Sequence, residues 1–364
     1  MKQTITPDHA DILGKIIRPL LVWYKGQDTT RQLPWREEPT PYHTWLSEIM
    51  LQQTRAAAVI PYYNRFVQVF PDIAALAAAE DEVLMKLWQG LGYYSRARNL
   101  KKAAQVIQKE HGGQLPQDRK MLMALPGIGR YTSSAIASIA FGQPLPAVDG
   151  NVLRVVARVL TCRADIQAPR TRTAFEQLLA PHYPAGHDAG ALNQAFMDLG
   201  ATICLPNGSP HCSRCPLSHL CLAFETGTIR YFPHKSPPKA RRIENRTVFI
   251  LKQEDAIALN KRPDKGLLAG LWEFPNCSGT LDLAGVKAYL ATHQMTAVRI
   301  QKLPAAKHIF SHVEWHLSGW KIQLAPNHHA LAETQTSFTW ATPDILTQNY
   351  SIPAAFGHYV SHIK

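Results

Sequence analysis

The sequence predicts a multidomain protein, with an all-helical region over residues 1–228 and a separate α+β domain over residues 247–364. Three observations carry this reading. Apolar residues recur at helical spacing through the first region, and strand-like alternation takes over in the second. Between them, at residues 229–246, Arg230, Lys235, Lys239, Arg241, Arg242 and Arg246 crowd around Pro233, Pro237 and Pro238, opposed only by Glu244. Such a stretch reads as a stiff spacer, and its charge also suits a path along a phosphate backbone. A chain of 364 residues fits two or three domains at roughly 150 residues each.

In order, residues 11–24 carry Ile12, Ile16, Leu20 and Trp23 on one stripe, and Thr40-Pro41 opens a helix expected to run through residues 44–54. Further helices are predicted at residues 56–70, 73–79, 81–89, 95–111, 119–124, 131–141, 152–160, 172–179 and 189–204. Asp81-Glu82, Asp118 and Pro169 are start signals, and turn clusters at residues 111–113 and 181–186 separate neighbours. In the second region strands are expected at residues 247–251, 256–260, 297–302, 312–317, 320–324 and 337–340, with helices at 282–292 and 352–362. That mixture is the pattern of an α+β fold.

The net charge of +12 points to a polyanionic partner, nucleic acid before an anionic membrane surface. The first nine residues lack an apolar core beside basic residues, so no secretory signal is expected. No uncharged apolar run reaches membrane-spanning length. Four of the six cysteines fall between Cys204 and Cys221, while Cys162 and Cys277 stand alone. With no export signal, this clustering reads as metal binding rather than disulfides. Cys204, Cys212, Cys215 and Cys221 can hold Zn²⁺ or a [4Fe–4S] cluster. Only Cys212 and Cys215 form a two-spaced knuckle, and that unequal spacing favours the cluster.

Leu125-Pro126-Gly127-Ile128-Gly129-Arg130-Tyr131-Thr132 joins one helix to the next. Its glycines let backbone N–H groups converge where a helix N-terminus favours an anion. On a basic chain this reads as a helix–hairpin–helix phosphate clamp made by Gly127, Gly129 and Arg130. Glu48 lies among Trp45, Met50 and Leu51. On a solvated face it would be an ordinary carboxylate, but in apolar surroundings it resists ionisation and can donate a proton near neutrality. Asp149 precedes a helix and reads as its cap. It also reads as a carboxylate facing developing positive charge, the division of labour found in glycosidic bond cleavage. The sets Leu33-Pro34-Trp35-Arg36 and Gly90-Leu91-Gly92-Tyr93-Tyr94-Ser95-Arg96 combine aromatics suited to bases with arginines suited to phosphates, although core packing uses the same residues. His308, His312 and His316 recur every fourth position, yet alternation of Val313, Trp315 and Leu317 marks a strand and argues against a metal there.

Taken together, these stretches, with residues 267–275 and Phe310-Ser311-His312, closely resemble the MutY family of adenine DNA glycosylases. That family lies within the helix–hairpin–helix glycosylases and is similar to endonuclease III over its first two-thirds. The resemblance implies a six-helix module at about residues 35–145, a cluster module from residues 1–34 and 146–228, and a C-terminal domain resembling the Nudix fold of MutT. It implies excision of adenine from double-stranded DNA mispaired with 8-oxoguanine or guanine. Glu48 would be the acid acting at N7 and Asp149 the stabiliser of the sugar cation. Tyr131 and Asn151 would orient Asp149 and the water. Tyr131 stands where bifunctional relatives have a Schiff-base lysine, which implies a monofunctional enzyme. Arg31, Trp35, Leu51 and Gln194 would line the adenine pocket, Gln53 and Tyr93 would wedge beside the opposite base, and Phe310, Ser311 and His312 would read the lesion. The four cysteines would hold one [4Fe–4S] cluster, although seven residues separate the first pair, one more than the family spacing. Residues 282–292 lack the glutamate-dense set of a Nudix hydrolase, so pyrophosphatase chemistry is not expected. The remaining implications are a monomer in the cytoplasm of a bacterial-type cell, associated with the nucleoid and not with a membrane. The rival readings are an endonuclease III-like glycosylase/lyase and a non-catalytic iron–sulfur DNA-binding protein.

Overall fold

The computed structural model describes residues 7–26, 31–237, 239–326 and 338–363. The N-terminal reading at residues 1–6, Pro238 of the linker and the strand start predicted at Ser337 lie outside them. The helices of the first region run α1 Pro7–Lys25, α2 Pro34–Glu37, α3 Pro41–Leu51, α4 Ala56–Val69, α5 Ile73–Ala77, α6 Asp81–Trp88, α7 Ser95–Glu110, α8 Arg119–Ala124, α9 Arg130–Ile139, α10 Gly150–Val159, α11 Pro169–Leu179, α12 His187–Thr202 and α13 Leu222–Glu225. Then follow β1 Arg242–Gln253, β2 Ala256–Lys261, β3 Trp272–Glu273, β4 Asn276–Ser278, α14 Leu283–Thr292, β5 Ala297–Ile309, β6 Val313–Leu324, β7 Thr339–Ala341, α15 Pro343–Asn349 and α16 Gly357–Val360. The chain divides into two compact units, Met1–Ala78 with Asn99–Pro237, and Ala79–Arg98 with Pro238–Lys364.

In the first unit Leu13, Ile16 and Leu20 of α1, Val152, Val155, Val156 and Val159 of α10, and Leu192, Phe196 and Leu199 of α12 share one buried core. Helix α10 is buried from Val152 through Val159, so its arginines must find partners inside the protein. Helices α9 and α12 approach closely at Gly190, where a Cβ would lie 2.8 Å from Ile139 Cα.

The second unit is a mixed sheet of order β3-β2-β1-β6-β5, with β4 added to β1 and β7 to β2. Only β1 and β6 among the paired strands run parallel. Alternation along β1 sends Val248 and Ile250 into a core with Phe356 and Tyr359, and Phe249 and Leu251 into one with Val286 and Leu290 of α14. Both sheet faces are therefore covered. Within this unit Gln89 Nε2 donates to Ile352 O over 3.1 Å, and Lys86 Nζ donates to Thr347 O.

Several expectations are corrected. The helix predicted through residue 54 ends at Leu51, and Gln53 adopts a left-handed backbone with φ 56°. The strands predicted at 312–317 and 320–324 form the single strand β6. Gly319 interrupts its pattern for a packing reason, because a Cβ there would fall 2.3 Å from the buried Tyr359 ring. Strand β1 begins at Arg242, inside the stretch read as linker. The helix predicted at 352–362 is a 3-10 turn, Ala354–Phe356, followed by the single turn α16. Strands β3 and β4 and helix α15 were not predicted; α15 has a cap, Thr342, ahead of Pro343.

Candidate active site

Glu48 owes its position to a helix without a wet face. Thr40 Oγ1 caps α3 by accepting from His43 N over 3.2 Å, Pro41 starts it, and Thr44 through Met50 are all buried. Glu48 is 6% exposed. Tyr131, in the first turn of α9, donates its hydroxyl hydrogen bond to the Glu48 carboxylate. Burial above all, with Asp149 adding to it, pushes the Glu48 carboxyl up to about 7, against the Tyr131 hydrogen bond and the positive charge of Arg36. Burial and the two carboxylates hold the Tyr131 phenol well above its ordinary range, so it remains a donor.

Asp149 is the cap of α10, and its capping geometry also prepares it as an anion. Its Oδ1 accepts from Asn151 N and Val152 N, each at 2.8 Å, and its Oδ2 accepts from Asn151 Nδ2 at 2.7 Å. Burial raises the Asp149 carboxyl and these three donors pull it back. Asn151 is held in turn by Arg154, whose Nη2 donates to Asn151 Oδ1 at 2.9 Å and to Gly200 O at 2.7 Å. Gly200 is required there, since a Cβ would lie 2.5 Å from the Asn151 Cβ.

These groups open onto a cavity of about 460 Å³, which Glu48, Asp149, Tyr131 and Asn151 line together with Arg31, Trp35, Leu51 and Gln194. Eight of the predicted site residues are therefore together. Gln53 is not among the lining residues. Gly127, Gly129 and Arg130 form the α8–α9 hairpin of the same unit. Gly127 has φ 80°, and a Cβ would fall 2.8 Å from Asn99 Cβ, so this turn needs glycine. Arg130 Nε donates to Glu176 Oε2 at 2.7 Å, and Arg119 Nη2 to Glu176 Oε1 at 3.0 Å.

Tyr93, Phe310, Ser311 and His312 belong to the second unit. Tyr93 is 44% exposed, with φ 48° and the Arg96 guanidinium 5.5 Å from its ring. Phe310, Ser311 and His312 make the short turn between β5 and β6, closed by Phe310 N donating to Val313 O at 2.8 Å. The Phe310 ring rests 5.0 Å from Trp315, while Ser311 and His312 are exposed.

All four predicted cysteines line a second, smaller cavity with Ile203, Phe224 and Ile229. Arg158 Nη1 donates to Cys204 Sγ at 3.1 Å, and Arg154 Nε to Cys204 O at 2.8 Å. Burial raises the thiols of Cys212, Cys215 and Cys221, the second to about 12, so thiolates here need a compensating positive charge. Sequence reasoning missed Arg154, Arg158 and Asp198. The first two did leave a signal, as arginines four apart on an otherwise apolar helix. Asp198 is fully buried and takes Arg36 bidentately, at 2.8 and 3.1 Å. It left no such signal.

Residues 46–181 match the family described as HhH-GPD superfamily base excision DNA repair protein, and residues 247–362 match the NUDIX domain. The chain is 37% identical over 359 residues to the adenine DNA glycosylase of Mus musculus, covering 81% of this chain and 68% of that protein. It is 32% identical over 305 residues to the adenine DNA glycosylase of Buchnera aphidicola subsp. Acyrthosiphon pisum, covering 84% and 85%. A solved thermostable thymine-DNA glycosylase is similar with a TM-score of 0.53 at 28% identity, covering 59% of this chain and 98% of that one.

The raised Glu48 carboxyl has a stability consequence of definite sign. Its folded value, about 7, exceeds the ordinary 4.5, so its contribution favours folding at low pH and is lost as pH rises between those values. Glu48→Gln is therefore expected to be more stable than the parent at alkaline pH, by a few kcal/mol, because each tenfold change in a protonation constant is worth on the order of 1.4 kcal/mol. The gap should close toward acid pH. Denaturant unfolding across this range measures it, and a gap that does not vary with pH would contradict the burial argument.

Proposed function

The chain belongs to the MutY family of adenine DNA glycosylases, enzymes of base excision repair, and from that premise we propose that it hydrolyses the N-glycosidic bond of adenine mispaired with 8-oxoguanine or guanine. The observation that carries this reading is the pairing, at one cavity, of a carboxyl that keeps its proton to about pH 7 with another held by three N–H donors. Two carboxyl groups with environments set so differently supply an acid and a stabilising anion.

Adenine flipped out of the duplex enters between Trp35, Leu51, Arg31 and Gln194. Flipping costs a few kcal/mol, less at a mispair. Glu48 gives its proton to N7. The C1′–N9 bond breaks with its electrons going to the base, and neutral adenine leaves. Asp149 faces the positive sugar and stabilises it electrostatically. Water adds at C1′ and loses a proton, leaving an abasic site. Asn151 fixes Asp149, Tyr131 hydrogen-bonds Glu48, and the two would hold the water between them; Tyr131 offers no amine for a Schiff base, so no lyase step follows. Acid catalysis of this kind contributes ~10²–10⁴-fold.

Gln53 and Tyr93 serve as wedges beside the opposite base, and their left-handed backbones, at φ 56° and 48°, are the kind of local strain retained at functional sites. The exposed turn Phe310-Ser311-His312 reads the lesion. Gly127, Gly129 and Arg130 clamp phosphate, and the basic stretch from residue 229 follows the backbone. Cys204, Cys212, Cys215 and Cys221 would hold one [4Fe–4S] cluster. Four thiols lining one cavity fit it. When bound it would organise the loop packed on α10. The longer spacing before Cys212 falls on exposed residues 206–209, with Gly208 at φ 73°, where an extra residue can bulge outward without moving the sulfurs. The enzyme acts as a monomer on double-stranded DNA in the cytoplasm of a bacterial-type cell, with the nucleoid. No helix among the described residues is long and apolar enough to cross a membrane.

Glu48→Gln is expected to lower adenine release by at least ~10²-fold while leaving mispair binding, and release equal to the parent's would sink the acid assignment. Ser311→Ala should weaken the preference for 8-oxoguanine over guanine opposite adenine; an unchanged ratio of excision rates counts against lesion reading by this turn. The purified protein should absorb visible light as an iron–sulfur protein does. A colourless protein containing zinc would overturn the cluster.

A further inference from the structure

Behind the acid stands an ion pair that the reaction does not use. Asp198 of α12 is fully buried, and its Oδ2 accepts from Arg36 Nη1 at 2.8 Å and its Oδ1 from Arg36 Nη2 at 3.1 Å. Arg31 Nη1 adds a longer contact to Oδ1 at 3.5 Å. The Tyr24 ring lies 5.9 Å from the Arg36 guanidinium. Arg36 lines the same cavity as Glu48.

A cation beside a buried carboxyl favours its anion, and in an enclosed site that effect is poorly screened. An acid that must deliver its proton near neutrality is impaired by a free arginine at its wall. An arginine closed on a buried carboxylate has part of its charge offset and both its Nη atoms occupied. The other charged or titratable groups facing Glu48 across the cavity are Arg31, Arg55, Arg154, Tyr131 and Asp149. Of these, Arg154 is committed to carbonyls and to Asn151, Tyr131 donates to Glu48 itself, and Asp149 opposes ionisation of Glu48.

We propose that Asp198 is a positioning residue for the acid: it clamps both arms of Arg36, offsets part of that charge at the cavity wall and so helps Glu48 keep its proton. The inference rests on the reading of Glu48 as the general acid. It makes the Asp198–Arg36 pair a setting for the pH range over which adenine is released, rather than a contact with the base.

The test is a single-turnover pH–rate profile for adenine release from a duplex carrying adenine opposite 8-oxoguanine. The parent should show a basic limb, where Glu48 loses its proton. Asp198→Asn frees the cation, so this limb should move down by about one pH unit, which makes release about tenfold slower on the limb and restores it as pH falls. Arg36→Gln removes the cation, so the limb should move up. The double variant should return most of the way to the parent, and Asp198→Glu, which keeps the charge, should restore the parental limb. Opposite displacements of the limb in the two single variants are the signature. A merely structural role would slow release equally at every pH and leave the limb in place, and that result overturns the proposal. If Asp198→Asn does not fold, Arg36→Gln and Asp198→Glu decide it, because an unmoved or downward limb in Arg36→Gln contradicts the account. A parental profile with no basic limb removes Glu48 as the acid and this inference with it, whereas a limb present in the parent but unmoved in the variants removes the inference alone.

Discussion

Burying the Glu48 carboxyl on a helix enclosed from Thr44 to Met50, beside Tyr131, makes its charged form expensive, and the remainder of the helical unit is arranged around that cost. Helix α3 can hold Glu48 at 6% exposure only because other elements cover it on every side. One covering helix, α9, begins at the hairpin turn and so delivers Tyr131 in its first turn, as a donor to Glu48. Another N-terminus, that of α10, brings Asp149 to the same cavity, with backbone N–H groups that satisfy it as an anion. The two carboxyl groups are held differently: burial dominates at Glu48, with one donor in Tyr131, whereas three N–H donors meet Asp149.

The same requirement extends to the buried arginines. Arg154 and Arg158 lie on an apolar helix and are satisfied by carbonyls, by Asn151 and by the Cys204 sulfur. Through Asn151 the first of them fixes Asp149, and through Cys204 both fix the cysteine loop. Arg36 is closed on Asp198. Each of these three cations is thus committed to a partner, as burial of a charge demands. The second unit contributes through shape: a sheet covered on both faces presents the turn Phe310-Ser311-His312 at the end of a long antiparallel pair.

Much of this was legible in the chain. The helix starts at Asp118 and Pro169, the glycine hairpin and the Asp149 cap are local devices, set by residues within one turn of each other. Glu48, Asp149, Tyr131 and the cysteines were legible as residues, because each belongs to a motif. What stayed hidden depends on distance or on brevity. Arg36 and Asp198 stand 162 positions apart, and nothing in either neighbourhood announces the other. Strands β3 and β4 are two and three residues long, too short for alternation to register. Gly319 looked like a strand break because sequence does not show the Tyr359 ring above it. Gln53 carried the helical pattern past Leu51, and only its backbone reveals the turn.

The central claim is that enclosure keeps a proton on Glu48 near neutrality in the folded protein, before any DNA is present. The most direct measurement is a titration of the Glu48 side-chain carboxyl by nuclear magnetic resonance on carboxyl-labelled protein, with Glu48→Gln assigning the signal. The account predicts a midpoint near 7. A midpoint in the ordinary carboxylate range, about 4 to 5, would contradict it.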